Sequence, residues 1–155
     1  MMRRKDREKS AEFARGLLDH CSYAVLATVN PDGTPYCIPI NPVRSGDDLY
    51  FHCALDGQKI DNLRAAPTVC LTAVGRMRIP PDEFTTQYES AVVFGTAREV
   101  TDEAEKRAVL RLLCERYVPT NMANFDAEIP GSLPHTGVWK IHMERVTGKS
   151  KPITE

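Results

Sequence analysis

Gln58 and Lys59 open a short helix-forming run, Q-K-I-D-N-L-R-A-A-P, directly behind the turn Asp56-Gly57. The first amides of a helix lack intrahelical partners, and the helix dipole favours negative charge beside them. A strand that feeds a helix through a Gly turn is therefore a ready anion site. A cation in that first turn is disfavoured unless an anion lies nearby, so Lys59 points to a bound anion such as a phosphate. The same residues also allow a plainer reading, in which Asp56 caps the helix and Lys59 is solvated. Upstream, the run L-Y-F-H-C ends in His52 and Cys53. Cys53 has no basic neighbour in sequence and is not read as a nucleophile. The four histidines show no HExxH spacing, and the five cysteines contain no CxxC pair, so neither a metal site nor a disulfide framework is expected.

The elements that must position these residues follow from periodicity. Leu49, Phe51 and Cys53 alternate against Tyr50 and His52, which predicts a strand. The helix behind it buries Ile60 and Leu63 and stops before Pro67. Earlier, Ser10 caps a helix to His20 whose stripe is Ala14, Leu17, Leu18 and Cys21. Ser22 to Val29 and Pro35 to Val43 read as strands around the turn Asn30-Pro31-Asp32-Gly33, with Tyr36, Ile38 and Ile40 on one face. Pro39 and Pro42 lack N–H donors, so the second of these strands is an edge, a bulge or a strand that opens. Its free backbone groups suit a ligand or water.

Arg44 to Asp48 reads as a hairpin loop, and Thr68 to Val74 as the fourth strand. Gly75 to Gln87 is expected as a loop carrying Arg76 and Arg78. Tyr88 to Val100 is the fifth strand, with Gly95 at a bulge or close approach. Asp102 with Glu105 fits a capping box for a helix to Tyr117, buried through Val109, Leu112, Leu113 and Tyr117, with Glu103 paired to Arg107. Val118 to Leu133 has no period and is expected as a long loop. Thr136 to Gly148 is the last strand, with Trp139, Ile141 and Met143 inward and Lys140, His142 and Glu144 outward; the tail is polar. Three strands precede the first crossover helix, which predicts an antiparallel barrel with helices outside it. There is no Rossmann or Walker motif.

Composition sets the limits. At 155 residues the chain is expected to form one domain over 1–155. A net charge of -1 gives no electrostatic case for nucleic acid or an anionic membrane. No apolar run approaches a membrane span. Residues 1–9 are basic without an apolar run behind them, unlike a secretory signal, so the cytoplasm is the expected compartment.

Four segments carry a resemblance: Ala27 to Ile40 (A-T-V-N-P-D-G-T-P-Y-C-I-P-I), Leu49 to Pro67, Tyr88 to Val100, and the ending W-K-I-H-M-E-R-V-T-G-K. In this order they resemble the FMN-binding split-barrel proteins related to pyridoxamine 5'-phosphate oxidase, and among these the branch with 5-nitroimidazole resistance proteins. The resemblance implies a mainly β fold, a six-stranded antiparallel split β-barrel. It also implies FMN at a homodimer interface. By that resemblance Gln58 and Lys59 bind the phosphate, and His52 and Cys53 lie beside the ribityl chain and ring. Pro39, Ile40 and Asn41 edge the ring, and Trp139 is either a flavin neighbour or core. His52 is the catalytic candidate, against a structural role. Arg76 and Arg78 belong to a loop that either covers the partner's flavin or is solvated.

Pyridoxamine 5'-phosphate oxidase itself has Arg at the position of Gln58 and a C-terminal arginine segment that this chain lacks, which argues against vitamin B6 oxidation. The implied chemistry is electron transfer through the flavin to a small electron-poor acceptor. The alternatives are a flavin- or haem-holding protein without turnover and a deazaflavin-dependent reductase.

Overall fold

The computed structural model describes residues 3–154. A single turn of 3-10 helix at Lys5–Arg7 leads into a short strand, β1 (Glu8–Lys9), and the helix α1 (Ala11–His20). Ser10 caps α1 by accepting from the Phe13 amide at 3.1 Å, and Ala14, Leu17 and Leu18 are buried along its expected stripe. The chain continues through β2 (Ala24–Val29), β3 (Pro35–Ile40), β4 (Val43–Ser45) and β5 (Asp48–Cys53) to α2 (Gln58–Ala65). Then follow the long pair β6 (Thr68–Arg78) and β7 (Gln87–Glu99), α3 (Glu103–Tyr117), α4 (Phe125–Ser132) and β8 (Gly137–Lys151).

The strands form one antiparallel sheet in the order β3-β2-β6-β7-β8-β5-β4, with β1 beside the end of β8. The two ends of that order, β3 and β4, are joined only by Asn41 and Pro42. The three peptide steps from Ile40 to Val43 span at most about 11 Å. So short a link forces the sheet to curl until its edges meet, which makes a split β-barrel. The expected architecture is therefore observed, and the six long strands are those predicted. The added strands β1 and β4 bring the sheet to eight. Pro39 lies on the edge strand β3, and Pro42 lies in the break, where a missing N–H costs no ladder bond.

Two cores result. Inside the barrel, Leu26, Leu49, Phe51, Leu71, Trp139 and Ile141 pack with the buried faces of α1 and α2. Outside it, Tyr50, Val138, Val109, Leu113, Phe125 and Ile129 form a second cluster between β5, β8 and the helices α3 and α4. Strand β5 is thus apolar on both sides as far as Phe51.

The segment from Val118 to Leu133 corrects the expectation of a loop. It is helical, with 3-10 turns at Pro119–Asn124 and Leu133–His135 on either side of α4. Its Pro, Gly and Asn content signals a loop. Burial of Phe125, Ile129 and Leu133, four residues apart, outweighs that content. Arg107 does not pair with Glu103; it and Arg111 both reach Asp126 of α4, at 2.7 and 2.9 Å. Leu110 lies in the buried face of α3, where Leu112 was expected, and Leu112 is half-buried. Gly75 to Arg78 and Gln87 extend β6 and β7, and Lys149 to Lys151 extend β8. The ladder supplies backbone partners that sequence pattern does not reveal.

Candidate functional site

The site lies where β5 ends. The chain turns through Ala54–Gly57, and Gly57, at φ 114°, is the N-cap of α2. That positive φ suits glycine alone. Asp56 makes no side-chain cap bond, which corrects the capping alternative. Among the described residues the amides of Gln58 and Lys59 find no acceptor, whereas those of Ile60 and Asp61 close on the Gly57 carbonyl at 2.8 and 3.1 Å. Lys59 is half-buried, its Nζ 5.4 Å from the centroid of the Phe51 ring. No carboxylate pairs with it among the described residues.

A buried amide network holds the start of α2 in place. Asn62 is 1% exposed. Its Nδ2 donates to Thr28 Oγ1 at 3.0 Å and to Asn30 Oδ1 at 2.8 Å. Gln58 Nε2 donates to the same Asn30 oxygen at 3.0 Å. The β2–β3 turn is thereby tied to the first turn of α2. The side chain of Gln58 is engaged in that tie, so its backbone amide is the free donor. The cleft on this side also carries Asp32 and Asp61, which leaves the Lys59 side as the place for an anion. Asn30 and Asn62 were not anticipated from sequence. The signal available was an Asn on the buried face of an otherwise polar helix.

His52 and Cys53 point to opposite faces of β5. His52 keeps solvent access at the end of β5, but partial desolvation by its neighbours, and secondarily the Lys59 charge, lower its imidazole from the usual value near 6.5. Burial pushes the Cys53 thiol up, with Lys59 opposing it, so Cys53 is a thiol rather than a thiolate at neutral pH. For His52 the linkage has a definite sign. The unfolded chain binds a proton that the folded chain resists, so the stability this group contributes is present above about pH 6.5 and is lost as pH falls through the lowered value. His52→Gln should flatten the stability profile over that range, as read by urea unfolding between pH 5 and 8. An unchanged profile would show that His52 titrates normally.

On its other side His52 faces a cavity of about 410 Å3, shared with Asn41 and lined by α3, α4 and the residues that follow them. Asn41 and His52 thus line one cavity. Leu110, Cys114, Tyr117 and Ile129 join them from helices that sequence pattern left apart from the site. Pro39 is exposed on the edge strand, whereas Ile40 turns into the barrel core. Trp139 is 3% exposed within that core, opposite Phe51 in the ladder, and presents no surface for a ligand in this chain. His142 is exposed and bonded to Asp48 at 2.8 Å. Among the described residues no cluster of His, Cys, Asp and Glu could hold a metal, and no helix is long and apolar enough to cross a membrane.

Solved structures share this fold. A proposed 5-nitroimidazole antibiotic resistance protein from Bacteroides thetaiotaomicron is similar with a TM-score of 0.75 at 22% identity, covering 91% of this chain and 84% of that one. The flavocytochrome Anf3 from Azotobacter vinelandii gives 0.83 at 21% identity, over 99% of this chain and 73% of that one. A FAD and heme binding protein from Mycobacterium smegmatis gives 0.75 at 26% identity, over 96% and 76%. No protein of curated function matches the chain. Residues 10–150, nearly all of the barrel and its helices, match the family described as pyridoxamine 5'-phosphate oxidase, and the chain belongs to that family.

Proposed function

We propose that the chain is a homodimeric FMN protein that passes electrons to small electron-poor compounds such as 5-nitroimidazoles. The observation that carries the reading is Lys59: a half-buried cation without a carboxylate, beside two unbonded helix-start amides. These are the donors a phosphate monoester needs. The residues present fit FMN. Lys59 and the Gln58 and Lys59 amides would hold the phosphate, and the end of the edge strand β3, Pro39 and Ile40, with Asn41 behind it, would edge the ring. Bound there, the flavin would supply the electron transfer. His52, neutral at pH 7, would orient an acceptor by hydrogen bonding.

The dimer is supported by the outward face of the sheet. Cys37, Ala27, Cys70 and Phe94 lie side by side across β3, β2, β6 and β7. Val29 is 41%, Val74 57% and Phe94 37% exposed on that face. A sheet apolar on both sides requires a cover, and a second copy with two-fold symmetry supplies one.

The test is direct. Protein reduced with FMN bound should lose electrons to a 5-nitroimidazole faster than an equal amount of free reduced FMN. His52→Ala should slow that transfer more than it weakens FMN, and light scattering should give twice the chain mass. An intense Soret band in place of the two near-visible flavin bands would replace this reading with haem binding. A flavin-loaded monomer would remove the shared site.

A further inference from the structure

The cavity under α3 and α4 has a chemistry of its own. Its wall is apolar, built largely by Leu110, Leu113, Cys114 and Ile129, and no Asp, Glu, Lys or Arg lines it. Most of its polar side chains are engaged with the protein itself. Tyr117 Oη donates to the Pro42 carbonyl at 2.7 Å, and Thr136 Oγ1 to the Ser132 carbonyl at 2.9 Å. Ser132 Oγ donates to the Ile129 carbonyl at 3.1 Å, and Asn41 Nδ2 to the Ser22 carbonyl at 2.9 Å.

Two polar groups in the lining remain: the His52 ring, whose nitrogens have no partner among the described residues, and the Asn41 side-chain oxygen. An anion against this wall would meet no charged side chain in the lining, and desolvating it would be costly. An uncharged ring would trade water for the Leu and Ile wall, and its polar substituent would meet the imidazole. A volume of about 410 Å3 falls at the small end of the range typical of ligand pockets, about 300–1,000 Å3.

We infer that this cavity is the acceptor compartment, and that it takes small, flat, uncharged ring compounds while excluding phosphorylated ones. Its role in electron transfer rests on the flavin reading above; its selectivity for uncharged rings does not. Cys114 of α3 and the exposed Val118 just after that helix are lining residues at which a larger side chain would fill the cavity.

The probe is 1,2-dimethyl-5-nitroimidazole, titrated calorimetrically into the protein with and without FMN, with pyridoxal 5'-phosphate as the anionic competitor. Cys114→Phe and Val118→Trp fill the cavity from two positions. Val118 is 48% exposed, so its replacement leaves the folded core intact. Wild type should bind the neutral ring without competition from the phosphate. Both variants should weaken that binding by about tenfold or more and keep their FMN affinity. No binding by wild type, unchanged binding in the filled variants, or displacement by pyridoxal 5'-phosphate would overturn the assignment. So would loss of FMN together with the ring, because the cavity would then be the flavin's own seat. If wild type binds the ring but takes up no FMN, and the filled variants lose the ring, the flavin reading fails and the compartment stands.

Discussion

Lys59→Ala should weaken FMN binding by about 10- to 150-fold and leave riboflavin nearly unaffected. A hydrogen bond to a charged group contributes about 1.5–3 kcal/mol, and each 1.4 kcal/mol is roughly tenfold in affinity. Riboflavin has no phosphate, so it does not use the lysine; its ring contacts would come from the Pro39–Asn41 edge. The flavin-free mutant should melt close to wild type, because two small terms oppose each other. Loss of the contact between Lys59 and the Phe51 ring, 5.4 Å apart, costs about 0.5–1 kcal/mol. Removing a cation from a helix start returns a similar amount. Titration of both ligands into both apo-proteins decides the matter. If FMN and riboflavin weaken equally, Lys59 is structural and the phosphate lies elsewhere.

Gly95→Ala should lower stability on the order of 3 kcal/mol, and FMN binding should fall with it. A Cβ at this glycine would lie 2.1 Å from the His142 carbonyl oxygen and 3.1 Å from Ile141 Cγ2. The approach is close because the β7–β8 register shifts between Phe94 and Gly95. The carbonyl cannot withdraw easily, since the next residue, Met143, donates its amide to Asp47 at 2.9 Å. The same strand β8 carries Gly137 and Val138 opposite Cys53 and His52, so a displaced β8 moves the end of β5 and the site with it. Gly16→Ala is the control. It lies in α1 with no atom within 4 Å of a built Cβ, and it should stabilise by about 0.5–1 kcal/mol. Urea midpoints that place Gly95→Ala at or above wild type would refute the close approach.

Residues near one another in the chain made much of the site legible. The strand Leu49–Cys53, the Gly57 turn and Lys59 at the start of α2 are written in period and turn chemistry, and the structure keeps them in that relation. Pro39 and Pro42 limited their segment to an edge, a bulge or a strand that opens because a missing N–H is a local fact; Pro39 lies on the edge and Pro42 in the break. Gly95 announced its bulge for a similar reason.

Other features depended on distance through the fold. The helices at Val118–His135 have the composition of a loop. Phe125, Ile129 and Leu133 gain enough by burial against α3 to overcome it, and that gain exists only once α3 is docked. Asn62 drew no reading from the sequence, because its partners Thr28 and Asn30 lie some thirty residues away and only the fold brings them within hydrogen-bond reach. Trp139 read as either a flavin neighbour or an inward core residue; the Phe51 pairing encloses it. His52 was singled out through the family resemblance, but its cavity is walled by helices that follow some sixty residues later. The sequence by itself determined the six long strands, the Ser10 and Asp102 caps and the place of Lys59 at a helix start, because those arise within a few bonds. The tertiary structure alone decided what His52 faces, because only closure of the barrel and packing of α3 and α4 on its outside bring those walls together.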